Sequence, residues 1–308
     1  MMTLKLIKSL LIGAILTFNT ISVQGKIMIA HNMREVQAQV NKALKKNRPE
    51  DILVAFDIDM VLTQPDHPAV YYPTLMKYAK VYKKILGSLS AEQKDFANTL
   101  TTQNYPQKFV EEETPEVVKR IEEKGIKVIA FTATLTGKFN NIKDKIIALR
   151  RDDLQKKGLD FTKSFKESAP VISFTEFPAY ASSYPMFDRG ILSSNGEGFT
   201  TKGQVLCSFL QHVGLKHRQQ TGSPGYFPKV IFLIDDRKKN LEDVEIALKS
   251  CNDSIEFVGL EYQGAFSYAP QDISEEDFEK FWTALAEKSQ SAFDSSHQIL
   301  TGYQRNAR

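Results

Sequence analysis

Cysteine is nearly absent from the chain. Its 308 residues carry only Cys207 and Cys251, form no CxxC pair, and scatter their five histidines. A zinc centre built on clustered thiolates and imidazoles is thereby excluded. Past residue 25 no apolar run approaches the ~20 residues that a membrane-spanning helix needs. There is no internal repeat. With 42% apolar and 25% charged residues the composition is that of an ordinary folded protein, not of a disordered, collagenous or coiled-coil chain.

What is present begins with an export signal. Lys5 and Lys8 form a short basic start, Leu10 to Phe18 an apolar core, and Ser22-Val23-Gln24-Gly25 a small-residue cleavage site with Gly25 as the last residue removed. The run is too short for an uncleaved anchor, so residues 1–25 are read as a signal peptide. The expected location is the periplasm or the extracellular space, with no stable membrane anchor after cleavage. Removing this segment takes two lysines and no acids. Lys+Arg then falls from 40 to 38 against 37 Asp+Glu, leaving a net charge of about +1. That balance gives no case for nucleic acid as a main partner.

Hydrophobic periodicity supplies the order of elements. A helix is expected over Met33–Lys45, and then a strand, Ile52–Phe56, whose continuous apolar character suits a central parallel position. Residues 64–113 read as a helical insertion, with Ser90 capping a helix that carries Glu92 and Gln93 in its first turn. Thr114-Pro115 marks a helix start, with Thr114 as N-cap. Strand Lys127–Phe131 runs into Thr132, and a helix over Lys138–Lys157 carries Ile142, Ile146, Leu149 and Leu154. Short strands are expected near Val171–Phe174 and Ile191–Ser194, and a helix from Lys202 to about Gly214. Strand Val230–Ile234 ends in Asp235-Asp236, followed by a helix to Ser250, strand Ile255–Leu260, a helix capped by Ser274, and a loose tail after Ser291.

Strands alternating with helices predict an α/β fold: a Rossmann-like parallel sheet covered by helices on both faces. The expected core is 26–63 with 114–290, the mainly helical cap insertion is 64–113, and the flexible tail is 291–308. An exported protein could pair its two cysteines. The expected architecture instead sets Cys207 near one edge of the sheet and Cys251 near the other, so no disulfide is expected.

In such a sheet the C-terminal strand ends share one edge, where ligands bind. That edge should carry Asp57-Ile58-Asp59, Thr132 and Asp235-Asp236, with Lys202 at an adjoining helix start. Each piece has a plainer reading. A lone D-x-D is common, Thr132 could be a turn residue, Lys202 a solvated charge, and Asp235-Asp236 a helix cap. An EF-hand is ruled out because Val61 and Leu62 stand where ligands or glycine are required. Together the pieces form an oxygen-rich pocket for a hard cation such as Mg²⁺ bridged to a phosphoryl group.

Four segments resemble the haloacid dehalogenase-like superfamily of phosphatases over roughly residues 50–262. They are F-D-I-D-M-V-L-T from Phe56, F-T at Phe131-Thr132, T-T-K-G around Lys202, and L-I-D-D ending in Asp235-Asp236. A signal peptide together with a helical insertion also resembles an uncharacterised exported bacterial branch of that superfamily.

The resemblance implies that Asp57 attacks phosphorus to form an aspartyl-phosphate, while Asp59 protonates the leaving oxygen and then activates water. It implies Mg²⁺ held by Asp57, the backbone carbonyl of Asp59 and Asp235, with Thr132 and Lys202 on phosphoryl oxygens. Asp236 is either a further metal-side acid or a partner orienting Lys202. The substrate class implied is a phosphorylated small molecule, cleaved as a phosphate monoester.

The insertion falls where the superfamily places a lid. Tyr71, Tyr72 and His67 then either face substrate or pack the helical hairpin, and Asn240 is either a polar support or a surface position. A receiver domain would carry its acids in the reverse order. The other alternative is a non-catalytic secreted protein that keeps the fold to bind a ligand or partner. Three like charges in one pocket, costly without a cation, argue against it.

Overall fold

The computed structural model describes residues 26–305 apart from 138–145, 166–170, 181–182, 197 and 199. The expected export signal and Ile142 lie outside these described residues.

The chain opens with strand β1 (Lys26–Ala30), helix α1 (Met33–Leu44) and strand β2 (Ile52–Phe56). The insertion follows, with strand β3 (Thr63–Pro65), helices α2 (Tyr72–Lys77), α3 (Ala79–Gly87) and α4 (Ala91–Asn104), and strand β4 (Gln107–Phe109). Next come α5 (Thr114–Glu122), β5 (Lys127–Thr132), α6 (Ile146–Lys156), and the short strands β6 (Val171–Ser173), β7 (Met186–Asp188) and β8 (Ile191–Ser193). Helix α7 (Lys202–Gln211) passes through a π-helical stretch, His212–Lys216, into α8 (His217–Thr221). The chain then forms β9 (Val230–Asp235), α9 (Lys238–Cys251), β10 (Glu256–Tyr262), α10 (Gly264–Ser267) and α11 (Glu275–Arg305).

Eight strands make one sheet in the order β1-β10-β9-β2-β5-β8-β7-β6. The six from β1 to β8 run parallel, and β7 is antiparallel to both β8 and β6. The fold is therefore α/β with a mostly parallel, Rossmann-like sheet flanked by helices.

Alternation along the strands divides the core in two. Ile52, Val54 and Phe56 of β2 pack with α1 and α5 through Val36, Val40, Val117 and Ile121. Leu53 and Ala55 face the other way, towards Val205 and Phe209 of α7 and Leu241 and Val244 of α9. All five residues of β2 are buried, as a strand between two neighbours and two helical layers requires.

β3 and β4 pair antiparallel and join the two ends of the insertion. Within it, Leu86, Leu89 and Phe96 are buried against Phe278, Trp282 and Leu285 of α11. Trp282 Nε1 donates to Ala69 O at 2.9 Å, and Tyr78 donates its hydroxyl to Ile273 O at 2.8 Å. The last helix, grouped with the core in the sequence reading, is thus packed on the insertion. It also continues to Arg305, past the point where a loose tail was expected. Among the described residues no helix is long and apolar enough to cross a membrane.

Two local expectations are corrected. Thr114 is already helical, and Glu113 precedes the helix without a side-chain capping bond. More consequentially, Cys207 and Cys251 form a disulfide with their Cα atoms 6.2 Å apart. Helix α7 starts late, after an extended approach, and lies half-way along α9. A Cβ on Gly203 would meet Asp243 O at 2.5 Å and Ala247 Cβ at 2.6 Å. One turn further on, Cys207 is bonded to Cys251, the last residue of α9.

Candidate active site

The strand phases that build the core also build the site. Asp57 continues the series Leu53, Ala55, and Asp235 continues Ile231, Leu233, so both acids fall on the α7 side of the sheet. Their strands are neighbours, and Asp57 N donates to Ile234 O at 2.8 Å, extending the ladder to the first acid.

Lys202 enters from that side as the first residue of α7. Thr201 caps the helix, and its side chain and that of Gln204 each bond the other's backbone. The Lys202 ammonium lies 2.6 Å from Asp235 Oδ2 and 3.1 Å from Asp57 Oδ1, and it donates to Phe131 O at 3.0 Å. All three charged groups are buried: Asp57 is 5% exposed, Lys202 4% and Asp235 0%.

Asp235 is further held by the backbone N of Arg237 at 2.9 Å and by Asn240 Nδ2 at 2.9 and 3.1 Å. Of the two readings of Asn240, polar support is the one observed. Burial pushes the Asp57 carboxyl well above the ordinary carboxylate range, Lys202 opposes that rise, and Asp235, Asp236 and Asp59 add to it. Burial and the Asp235 charge push Asp236 up to about 7. For Lys202 burial acts downward, but Asp235 and Asp57 outweigh it and hold the ammonium above its ordinary value.

Asp57, Asp235 and Asp236 each place a carboxylate oxygen within 4.8 Å of the others. Three acids against one lysine form a hard-oxygen donor set that fits a divalent cation such as Mg²⁺. Asp236 stands with the expected Asp57 and Asp235 in this side-chain set; the remaining expected ligand, the backbone carbonyl of Asp59, is not a side-chain donor.

Asp59 has a different partner. The backbone after β2 curls tightly, with Met60 N bonded to Thr63 O at 2.7 Å and Thr63 N to Ile58 O at 2.9 Å. Met60 takes a left-handed φ of 67°, unusual for a residue with a side chain. Beyond this curl the Asp59 carboxylate, half-exposed, is hydrogen-bonded by Nη2 of the buried Arg150 from α6.

Asp57, Asp59, Thr132 and Asp236 line one cavity of about 320 Å³, with Thr134, Arg237 and Tyr72 at its wall. Thr132 Oγ1 accepts from Thr134 N at 3.1 Å and lies 3.0 Å from the Thr134 hydroxyl. A roomier cleft of about 430 Å³ beside the disulfide is lined largely by Phe177, Leu210, Tyr226 and Phe227. It lacks the paired acids of the smaller cavity.

Of the three insertion residues singled out, only Tyr72 reaches the cavity. Tyr71 is buried and donates to Ala265 O at 2.9 Å, while His67 stacks on Phe281 with ring centroids 4.5 Å apart. The sequence reading missed Arg150, Thr134 and the Arg237 backbone. Arg150 had a signal: with Ile146 and Leu154 it repeats every four residues, so a charge interrupts the buried stripe of α6.

Residues 30–295 match the model of a family described as "Protein of unknown function (DUF2608)", and the chain belongs to that family. A protein of Rickettsia bellii is 27% identical over 253 residues, covering 78% of each chain. Another, of Rickettsia felis, is 27% identical over 248 residues, again 78% of each. A third, of Rickettsia typhi, is 26% identical over 257 residues, covering 82% of this chain and 81% of its own. All three carry the name "uncharacterized protein".

Proposed function

We propose that this DUF2608 protein is an exported, Mg²⁺-dependent phosphohydrolase that cleaves phosphate monoesters through an aspartyl-phosphate. It would be a hydrolase of the haloacid dehalogenase-like kind. One observation carries the reading: Asp57, Asp235 and Asp236 place carboxylate oxygens within 4.8 Å of one another, and Asp57 and Asp236 line a cavity together with Asp59 and Thr132. A cluster of buried acids is costly unless a cation compensates it, and a metal–phosphoryl site supplies that compensation.

In the proposed reaction the Asp57 carboxylate attacks phosphorus, and the bond from phosphorus to the ester oxygen breaks. Asp59 gives that oxygen its proton as it leaves. Asp59 then takes a proton from water, which attacks the aspartyl-phosphate, releases inorganic phosphate and restores Asp57. Thr132 and Lys202 hold phosphoryl oxygens, and Lys202 also keeps the Asp57 and Asp235 carboxylates aligned. When bound, Mg²⁺, held by Asp57, Asp235 and Asp236, supplies positive charge to the phosphoryl group. Tyr72 lines the same cavity.

Export is supported by the basic start and apolar run of residues 1–25, and by a disulfide of the sort that persists in oxidising compartments. The test is phosphate release from p-nitrophenyl phosphate. Mg²⁺ should support it, EDTA should stop it, and Asp57→Asn should abolish it while the circular dichroism spectrum is unchanged. Full turnover by Asp57→Asn would remove the proposed nucleophile.

A further inference from the structure

Arg150 sits where a charge is expensive. It projects from α6 in register with Ile146 and Leu154, is only 4% exposed, and its Nε is buried without a hydrogen-bond partner. A buried guanidinium is tolerated when an acid compensates it. Its ion-pair partner is Asp59, whose side chain is 50% exposed. Asp59 lines the cavity and Arg150 does not, so the arginine reaches the acid from behind.

The rest of the Asp59 environment is already fixed. The Met60–Thr63 and Ile58–Thr63 bonds pin the backbone on either side. The remaining freedom of the carboxylate is rotation about its own side-chain torsions. The Arg150 bond to Oδ1 removes that freedom and leaves the second oxygen for chemistry, as a third group does when it orients a catalytic base.

We propose that Arg150 is a positioning residue that aims Asp59 at the leaving oxygen. It thereby determines whether the enzyme can cleave esters whose leaving group needs a proton. This inference rests on the phosphatase reading above.

Two esters separate the effects. p-Nitrophenolate departs without a proton, whereas the alkoxide of glycerol 3-phosphate does not. In Arg150→Ala the ratio of kcat/KM for the aryl over the alkyl ester should rise about 100-fold, the usual scale of general-acid assistance. Arg150→Lys should recover part of it. Arg150→Met, which keeps the bulk and removes the charge, replaces the alanine variant should that one fail to fold. On an Asp59→Asn background Arg150→Ala should change the ratio no further, because the arginine acts through the acid.

A fall of equal size on both esters, or a shift that persists on the Asp59→Asn background, would overturn the assignment of Arg150 while leaving the phosphatase standing. A wild type that hydrolyses neither ester would overturn both.

Discussion

Replacing Lys202 by methionine tests whether the buried acids are held together by charge. The ammonium is 2.6 Å from Asp235 and 3.1 Å from Asp57, and almost no solvent reaches any of the three. Methionine keeps much of the volume and the apolar stem but leaves the acids without their cation. Breaking a buried pair from one side costs about 3–5 kcal/mol. For a protein of this size each kcal/mol is worth roughly 2–4 °C, so melting in EDTA should fall by roughly 6–20 °C. The measurement is thermal unfolding at pH 8, where the acids cannot cheaply escape the penalty by taking up protons. Mg²⁺ at a hundred times its Kd returns about 2.7 kcal/mol to any state that binds it. Because Lys202 no longer competes for Asp57 and Asp235, Mg²⁺ should raise the melting temperature more in the variant than in the wild type. A variant that melts with the wild type in EDTA, or gains no more from Mg²⁺, would refute the view that Lys202 stands in for part of the cation's charge.

Three further outcomes are expected. The disulfide links residues 44 apart in sequence, so chain entropy alone assigns it about 4 kcal/mol; Cys207→Ser should melt lower than the wild type, and the gap should vanish when the wild type is reduced. Gly203→Ala puts a methyl group into the Asp243 carbonyl and Ala247, costing about 1–3 kcal/mol, and should also slow phosphate release because Lys202 is its neighbour. Burial pushes Glu122 up to about 7, above the 4.5 of a free side chain, with Lys163 working against the rise and Asp160 with it. Between those values the folded state holds a proton that the unfolded state has lost, so the wild type loses stability as pH rises. Glu122→Gln should therefore match it near pH 4.5 and melt higher than it at pH 7.5; parallel melting curves across that range would refute the assignment.

Strands β2 and β9 are legible in the sequence because a central parallel strand must be apolar on both faces. Their ends are legible because an unbroken apolar run stops at the charged Asp57 and Asp235. The two strands of the large sheet without an expectation carry no such mark: β1 is only partly buried and β7 has three residues. The error over Cys207 has one physical cause, the axial offset of α7 against α9, which depends on the loop before Thr201. The contact of Arg150 with Asp59 spans 91 residues, a separation that local pattern does not reveal. His67 and Tyr71 differ from Tyr72 only through packing on α11 and α10, which local pattern cannot foretell.

The union of α3 and α4 with Trp282 and Leu285 has a consequence for the order in which the molecule is made. A ribosome will have completed every strand and every acid of the cavity before the last helix emerges. Until then Leu86, Leu89 and Phe96 lack Phe278, Trp282 and Leu285, and the nascent chain carries an apolar face beside a complete sheet. A chain halted near residue 270 should therefore aggregate or recruit chaperones although its sheet is complete.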